Sequence, residues 1–151
     1  MKSLTTYIVF FSILLSCSSE EKEEIIEHEV LFKDSLFGDG REEIDEQNLI
    51  INDEVTWTAL IEQMNFGDVI EGLPDIFPVI EVDFSQNQVI AAFDRVRSTG
   101  AYSIDIKILS QEEERLVKTI RTTPNGSAPL EITQPFIIVQ IPKEERPIVI
   151  D

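Results

Sequence analysis

Apolar residues along this chain recur with two different periods. Trp57, Leu60, Ile61 and Met64 fall at i, i+3, i+4 and i+7, one face of a helix. Asn52 and Asp53 ahead of them offer N-cap oxygens, Asp53 and Glu54 suit the positive helix start, and Gly67 is placed to stop it. Elsewhere the spacing is that of strands. Tyr102, Ile104, Ile106 and Ile108 alternate with Ser103, Asp105 and Lys107, the clearest period-two run in the sequence. Strands are predicted over residues 88–93 and 136–141; residues 89–93 and the second run are apolar on both faces, which predicts central strands. Further strands are predicted over residues 28–33, 47–51, 79–84 and 116–123, with an edge strand at 148–150 after Pro142 and Pro147. Turn compositions separate them, as in Ser85-Gln86-Asn87 and the charged stretch 110–115. The pattern predicts an α+β fold: mainly antiparallel β-sheet, sandwich- or barrel-like, with one amphipathic helix near the start. A single sheet carrying the helix stays open as an alternative.

The first residues follow another logic. Met1 and Lys2 precede a mostly apolar run to Leu15, then small Ser16 and the single cysteine, Cys17. About a dozen apolar residues are too few for a spanning helix, which needs about 20, and fit an export signal. Leu14-Leu15-Ser16-Cys17 resembles the lipobox of bacterial lipoproteins. That resemblance implies cleavage before Cys17 and lipidation of Cys17, including a palmitate-type acyl chain, so that residues 1–16 are a signal peptide. An ordinary signal peptide that happens to contain a cysteine is the alternative. One cysteine also rules out an intramolecular disulfide framework.

Charge sharpens the picture. Without residues 1–16 the chain has 11 Lys+Arg against 29 Asp+Glu, a net of −18. Half of that excess lies in residues 20–46. Such a chain is repelled by phosphate backbones, so no nucleic acid is expected as a partner. Residues 17–27 are expected to be an acidic, lipidated tether, with residues 28–151 a single β-rich domain. Acids directly behind a lipidated cysteine also resemble the surface-export signal of some Gram-negative lipoproteins.

Candidate chemistry is sparse. His28 is the only histidine, which removes histidine-based triads and multi-histidine zinc sites. No nucleophile elbow or phosphate-cradling loop is present. Asp34, Asp39, Glu42, Glu43 and Asp45 are dense enough to raise calcium, but their spacing is not that of an EF-hand. No pair among the many carboxylates singles itself out for glycosidase work. Trp57 reads as core rather than as a sugar-stacking platform. No cofactor, no metal and no catalytic residue are therefore expected.

Three stretches carry a family resemblance: VDFSQNQVIAAF (82–93), RSTGAYSIDI (97–106) and ITQPFIIVQIPK (132–143). Together, and with INDEVTWTALIEQM (51–64) as lead-in, they resemble the PrcB C-terminal domain family, over about residues 48–143. The resemblance implies a non-catalytic accessory module that stabilises a secreted or surface protease. The chain departs from the family at Ala101, where a second glycine is common, and at Asp94-Arg95-Val96. A lipid-anchored envelope protein of the outer membrane is the expectation, with surface-facing and periplasm-facing placements both open. Small-ligand or glycan binding is the alternative, and a carboxylate hydrolase the third reading. Arg95, Arg97, Ser98, Thr99 and Gly100 are the candidate partner-binding residues, because guanidinium suits carboxylates and the rest offer hydroxyls and open backbone. The competing reading pairs both arginines with the protein's own acids.

Overall fold

The computed structural model describes residues 24–65, 76–126 and 129–151. Its elements are β1 (Glu24–Ile25), β2 (Glu29–Leu36), β3 (Gln47–Ile51), α1 (Glu54–Asn65), β4 (Asn87–Phe93), β5 (Ser103–Ser110), β6 (Arg115–Thr122), β7 (Gln134–Pro142) and β8 (Ile148–Ile150). One four-stranded sheet has the order β2-β7-β4-β3 and is antiparallel throughout. The other has the order β1-β5-β6-β8, antiparallel except for the parallel pair β6-β8. The fold is thus β-rich α+β, with two sheets and a helix in three layers.

The middle sheet explains the two-sided apolar runs. Val89, Ala91 and Phe93 of β4 and Phe136 and Ile138 of β7 face α1, where they meet Trp57, Leu60, Ile61 and Met64. Their neighbours Ile90, Ala92, Ile137, Val139 and Ile141 face the second sheet and meet Ile104, Ile106, Ile108 and Val117. The β4–β7 register places Ile90 opposite Val139 and Phe93 opposite Phe136, so like faces coincide across the pair. Alternation on β5 follows from covering on one side only: isoleucines inward, Asp105 and Lys107 outward.

The helix forms as its sequence dictates. Asp53 accepts from the backbone N–H of Thr56 at 2.9 Å, an N-cap, and Glu54 sits in the first turn. All four residues of the predicted apolar face are buried. The Trp57 indole N–H donates to the carbonyl of Ile80 at 2.8 Å, satisfying the ring's one polar group.

Some expectations are corrected. The helix does not open the domain but follows the third strand. Residues 79–84 belong to no strand. Ile80, Val82 and Phe84 still pack on the helix-side core, so the alternation reports covering of that core without sheet pairing. Asp83 ends the segment by accepting from the N–H and hydroxyl of Ser85, at 2.9 and 2.6 Å. The second sheet begins at Glu24, inside the stretch expected to be tether, because Ile25 pairs with Leu109 and the Ile26 N–H reaches the Ile108 carbonyl at 2.9 Å. Gly67 and residues 1–16, the expected signal peptide, lie outside the described residues.

Trp57 fills the space between helix and sheet at 1% exposure. Trp57→Ala should lower stability by about 3–5 kcal/mol, the range for emptying a large buried ring site. Thermal or urea melts check this; a shift within error would mean that the helix does not bear on the sheet.

Candidate functional site

Beyond β4 and β7 the two strands continue as an irregular ribbon. The Asp94 N–H donates to the Pro135 carbonyl (2.8 Å), Arg97 and Thr133 exchange both backbone bonds (2.7 and 3.1 Å), and the Gly100 N–H donates to the Pro129 carbonyl (2.9 Å). The candidate stretch 95–100 is therefore one strand of this ribbon, and residues 129–133 are the other.

A buried carboxylate anchors it. Asp94 is 1% exposed and follows Phe93 on the inner side of the middle sheet, where the space between the sheets ends. Its carboxylate accepts from Arg97 Nε at 2.8 Å and from Arg121 Nε at 2.9 Å. Arg121 lies on β6, so this contact joins the two sheets, and its other arm pairs with Glu46 at 2.8 Å. The Arg97 guanidinium also lies 4.7 Å over the Tyr102 ring. Buried Gln134 donates one side-chain amide to the carbonyls of Ile44 (2.8 Å) and Asp94 (3.0 Å). Burial works to raise the Asp94 pKa, but the hydrogen bonds from Arg97 and then Arg121 outweigh it and hold the carboxyl below its usual value.

The candidate residues divide accordingly. Arg97 is committed to Asp94 and Tyr102. Arg95 and Ser98 are exposed, Thr99 is half-buried, and Gly100 is buried against Pro129. Cys17, the lipidation candidate, lies outside the described residues. The structure adds apolar side chains that the sequence reading passed over. Leu130 is 93% exposed, Ile132 57%, Phe37 55% and Val96 47%. Val96 and Ile132 flank the Arg97–Thr133 bridge, and Phe37 precedes Gly38, whose backbone lies on Thr133. A Cβ at Gly38 would come within 2.9 Å of the Thr133 carbonyl carbon, and its φ is +67°, so only glycine lets Phe37 enter the ribbon this closely. Leu130, between Pro129 and Glu131, follows no period; its one sequence signal is a large apolar residue in a turn-rich stretch.

The acidic loop builds something else. Asp39 accepts from Arg41, and Gln63 of α1 donates to the backbone carbonyls of Glu42 and Glu43 at 3.0 and 3.2 Å. Among the described residues, no group of three His, Cys, Asp or Glu side chains converges as a metal site.

Asp94→Asn should lower stability at pH 7 by about 2–3 kcal/mol, below the ~3–5 of a fully buried pair because Arg121 reaches solvent. The sign with pH follows from the depressed folded pKa: this contribution is fully present above the unfolded carboxyl's value, about 3.9, and is lost as pH falls through the lower folded value. Melts of both proteins should therefore converge below that range; a gap independent of pH would show that the carboxylate's charge is not what matters. Ala101 has φ +67°, the left-handed region. Ala101→Gly should raise stability by about 0.5 kcal/mol, relief of about 1 being partly offset by a freer unfolded chain. A lower melting temperature would contradict this.

Compared with known proteins, the chain matches no family model, no curated protein and no solved structure.

Proposed function

We propose that this chain is a non-catalytic, lipid-anchored envelope protein that binds a protein partner through the ribbon of residues 94–100 and 129–133. The observation that carries this reading is the placement of chain entry and ribbon at opposite ends of the fold. The described chain enters at Glu24, which pairs with Ser110 at one end of β5. The ribbon adjoins Ser103 at the other end of that eight-residue strand, about 24 Å away at about 3.4 Å per residue. A lipid on Cys17 would hold the Ser110 end toward the bilayer and turn the ribbon outward. Exposed apolar side chains beside Arg95, on a backbone tied down at Asp94, have the make-up of a protein interface: apolar anchors with an arginine, on a pre-organised support. The resemblance to the PrcB C-terminal domain family supports the accessory role, with a secreted or surface protease as the partner class. In the outer membrane such a domain would face the surface or the periplasm.

Two changes test the two halves separately. Cys17→Ser should move the protein from the membrane fraction into the soluble one without changing its melting temperature, since one or more buried acyl chains supply the anchorage. Retention with the membrane would refute the anchor. Leu130→Ser with Ile132→Ser should leave the melting temperature in place and cut recovery of a stoichiometric partner in native isolation from membranes. Arg95→Ser should do so more strongly at low salt than at high salt. Full recovery with the folded variants would remove the ribbon as the binding surface.

A further inference from the structure

At the end of the fold opposite the ribbon, a second charge is buried between the sheets, and it lacks a counter-ion. Arg115 opens β6 on the same face as Val117 and is 2% exposed. Its Nη1 donates to the Pro142 carbonyl at 2.9 Å, and its Nη2 to the carbonyls of Arg146 at 3.0 Å and Glu144 at 3.5 Å. With its amide oriented to satisfy both neighbours, Gln88 accepts from Nη1 and Nη2 at 2.9 and 2.7 Å and donates to Asn52 Oδ1 at 3.1 Å. The Nε–H is buried with no acceptor. Every partner is a neutral oxygen; among the described residues no carboxylate forms an ion pair with Arg115. Burial lowers the guanidinium's pKa, with Glu144 opposing and Arg146 adding to it. Buried charges are ordinarily neutralised, and one that is not calls for an explanation.

A cavity of about 290 Å³ opens over this arginine. It lies between β3 and β8, each, among the described residues, an edge strand of its sheet with a free backbone side. Ile50, Pro147 and Ile148 give it apolar walls, and Asn52 and Lys143 give it donors. Asn52 lends its oxygen to Gln88, which leaves its amide N–H groups free to donate. Lys143 Nζ spends one bond, at 3.3 Å, on the Phe84 carbonyl. Of the two acids in the lining, Glu144 is engaged by Arg146, and exposed Glu145 competes for the cationic floor.

We propose that this cavity binds a carboxylate carried on a short apolar chain, the C-terminal end of an extended peptide. The carboxylate supplies the charge that Arg115 lacks and takes hydrogen bonds from Lys143 and Asn52. The apolar side chain lies on Ile50 and Ile148, and the peptide backbone runs along a free strand edge. The inference stands apart from the ribbon, which lies at the other end of the fold.

Calorimetry on the detergent-solubilised full chain tests it, with acetyl-Ala-Val as free acid, the same peptide as its C-terminal amide, and inorganic phosphate. The free acid should bind saturably and raise the melting temperature, and the amide should bind at least about tenfold more weakly for want of the charged acceptor. Arg115→Met is at risk of not folding, so the discriminating variants lie at the rim. Lys143→Met should weaken the free acid severalfold and Glu145→Gln should tighten it, neither moving the melting temperature without peptide. Equal affinity for acid and amide, indifference to both rim variants, or no saturable binding up to about 10 mM, the weak limit of a specific contact, would each overturn the proposal. Phosphate binding as tight as that of the free acid would overturn it too, since the apolar walls would then play no part.

Discussion

Everything in this fold hangs on β4 and β7 being buried on both faces. A strand covered by a helix on one side and a sheet on the other has no solvent face to which polar residues can be assigned, so ten apolar residues of the pair, five on each face, carry two cores at once. Fully burying each larger side chain contributes about 1.5–3 kcal/mol before chain entropy is counted. The outer layers need less. α1 presents one stripe, and β5 and β6 alternate, because each has water on its far side.

The layer between the sheets also has ends, and there the chain must pass from apolar filling to water. It does so with opposite charges. At one end Asp94 is held by Arg97 and Arg121; at the other Arg115 is held by carbonyls of residues 142–146. The two closures are not equivalent. Asp94, at the end of β4, has counter-charges on the ribbon and on β6, so it fastens the two sheets together and sets the direction in which the ribbon leaves. Arg115 gathers only dipoles, so it fixes the path of the chain into β8 and leaves a net charge in place. In a chain of net charge −17 a buried, uncancelled cation is the exception. Glu144 relieves it only at a distance, because its carboxylate is paired with Arg146.

How far the sequence revealed this depends on which force placed each residue. α1, β3 and the two-sided strands were legible because periodicity records burial directly, and burial placed them. Residues 79–84 misled for the same reason: alternation records a covered face, and the bond from Trp57 to the Ile80 carbonyl shows a segment covering a core without joining a sheet. The pairing of β1 rests on two residues and leaves no periodic trace. Arg95 and Arg97 looked alike in sequence, yet one is exposed and the other closes the buried core, because only Arg97 reaches both the Asp94 carboxylate and the Tyr102 ring. The exposed apolar residues at 37, 96, 130 and 132 were illegible for a further reason. They come from three distant stretches, and the β2–β7 and β4–β7 pairings, carried past their last regular residues, bring those stretches together.

That same pairing accounts for the separation of the two ends. β4 leads toward Asp94 and away from Gln88, so the strand that ends in the ribbon begins beside Arg115. β1 joins β5 at Ser110, next to the turn into Arg115, so the chain entry shares the arginine's end and not the aspartate's. Connections between adjacent antiparallel strands alternate ends by necessity. Chain entry and the C-terminal strand fall at one end, while the β4–β5 and β6–β7 connections fall at the other. These two connections supply residues 94–102 and 123–133, so the ribbon is built from the two links that topology forces away from the point of entry. A surface at the end opposite the described chain entry therefore follows from strand order, with no long insertion to carry it there.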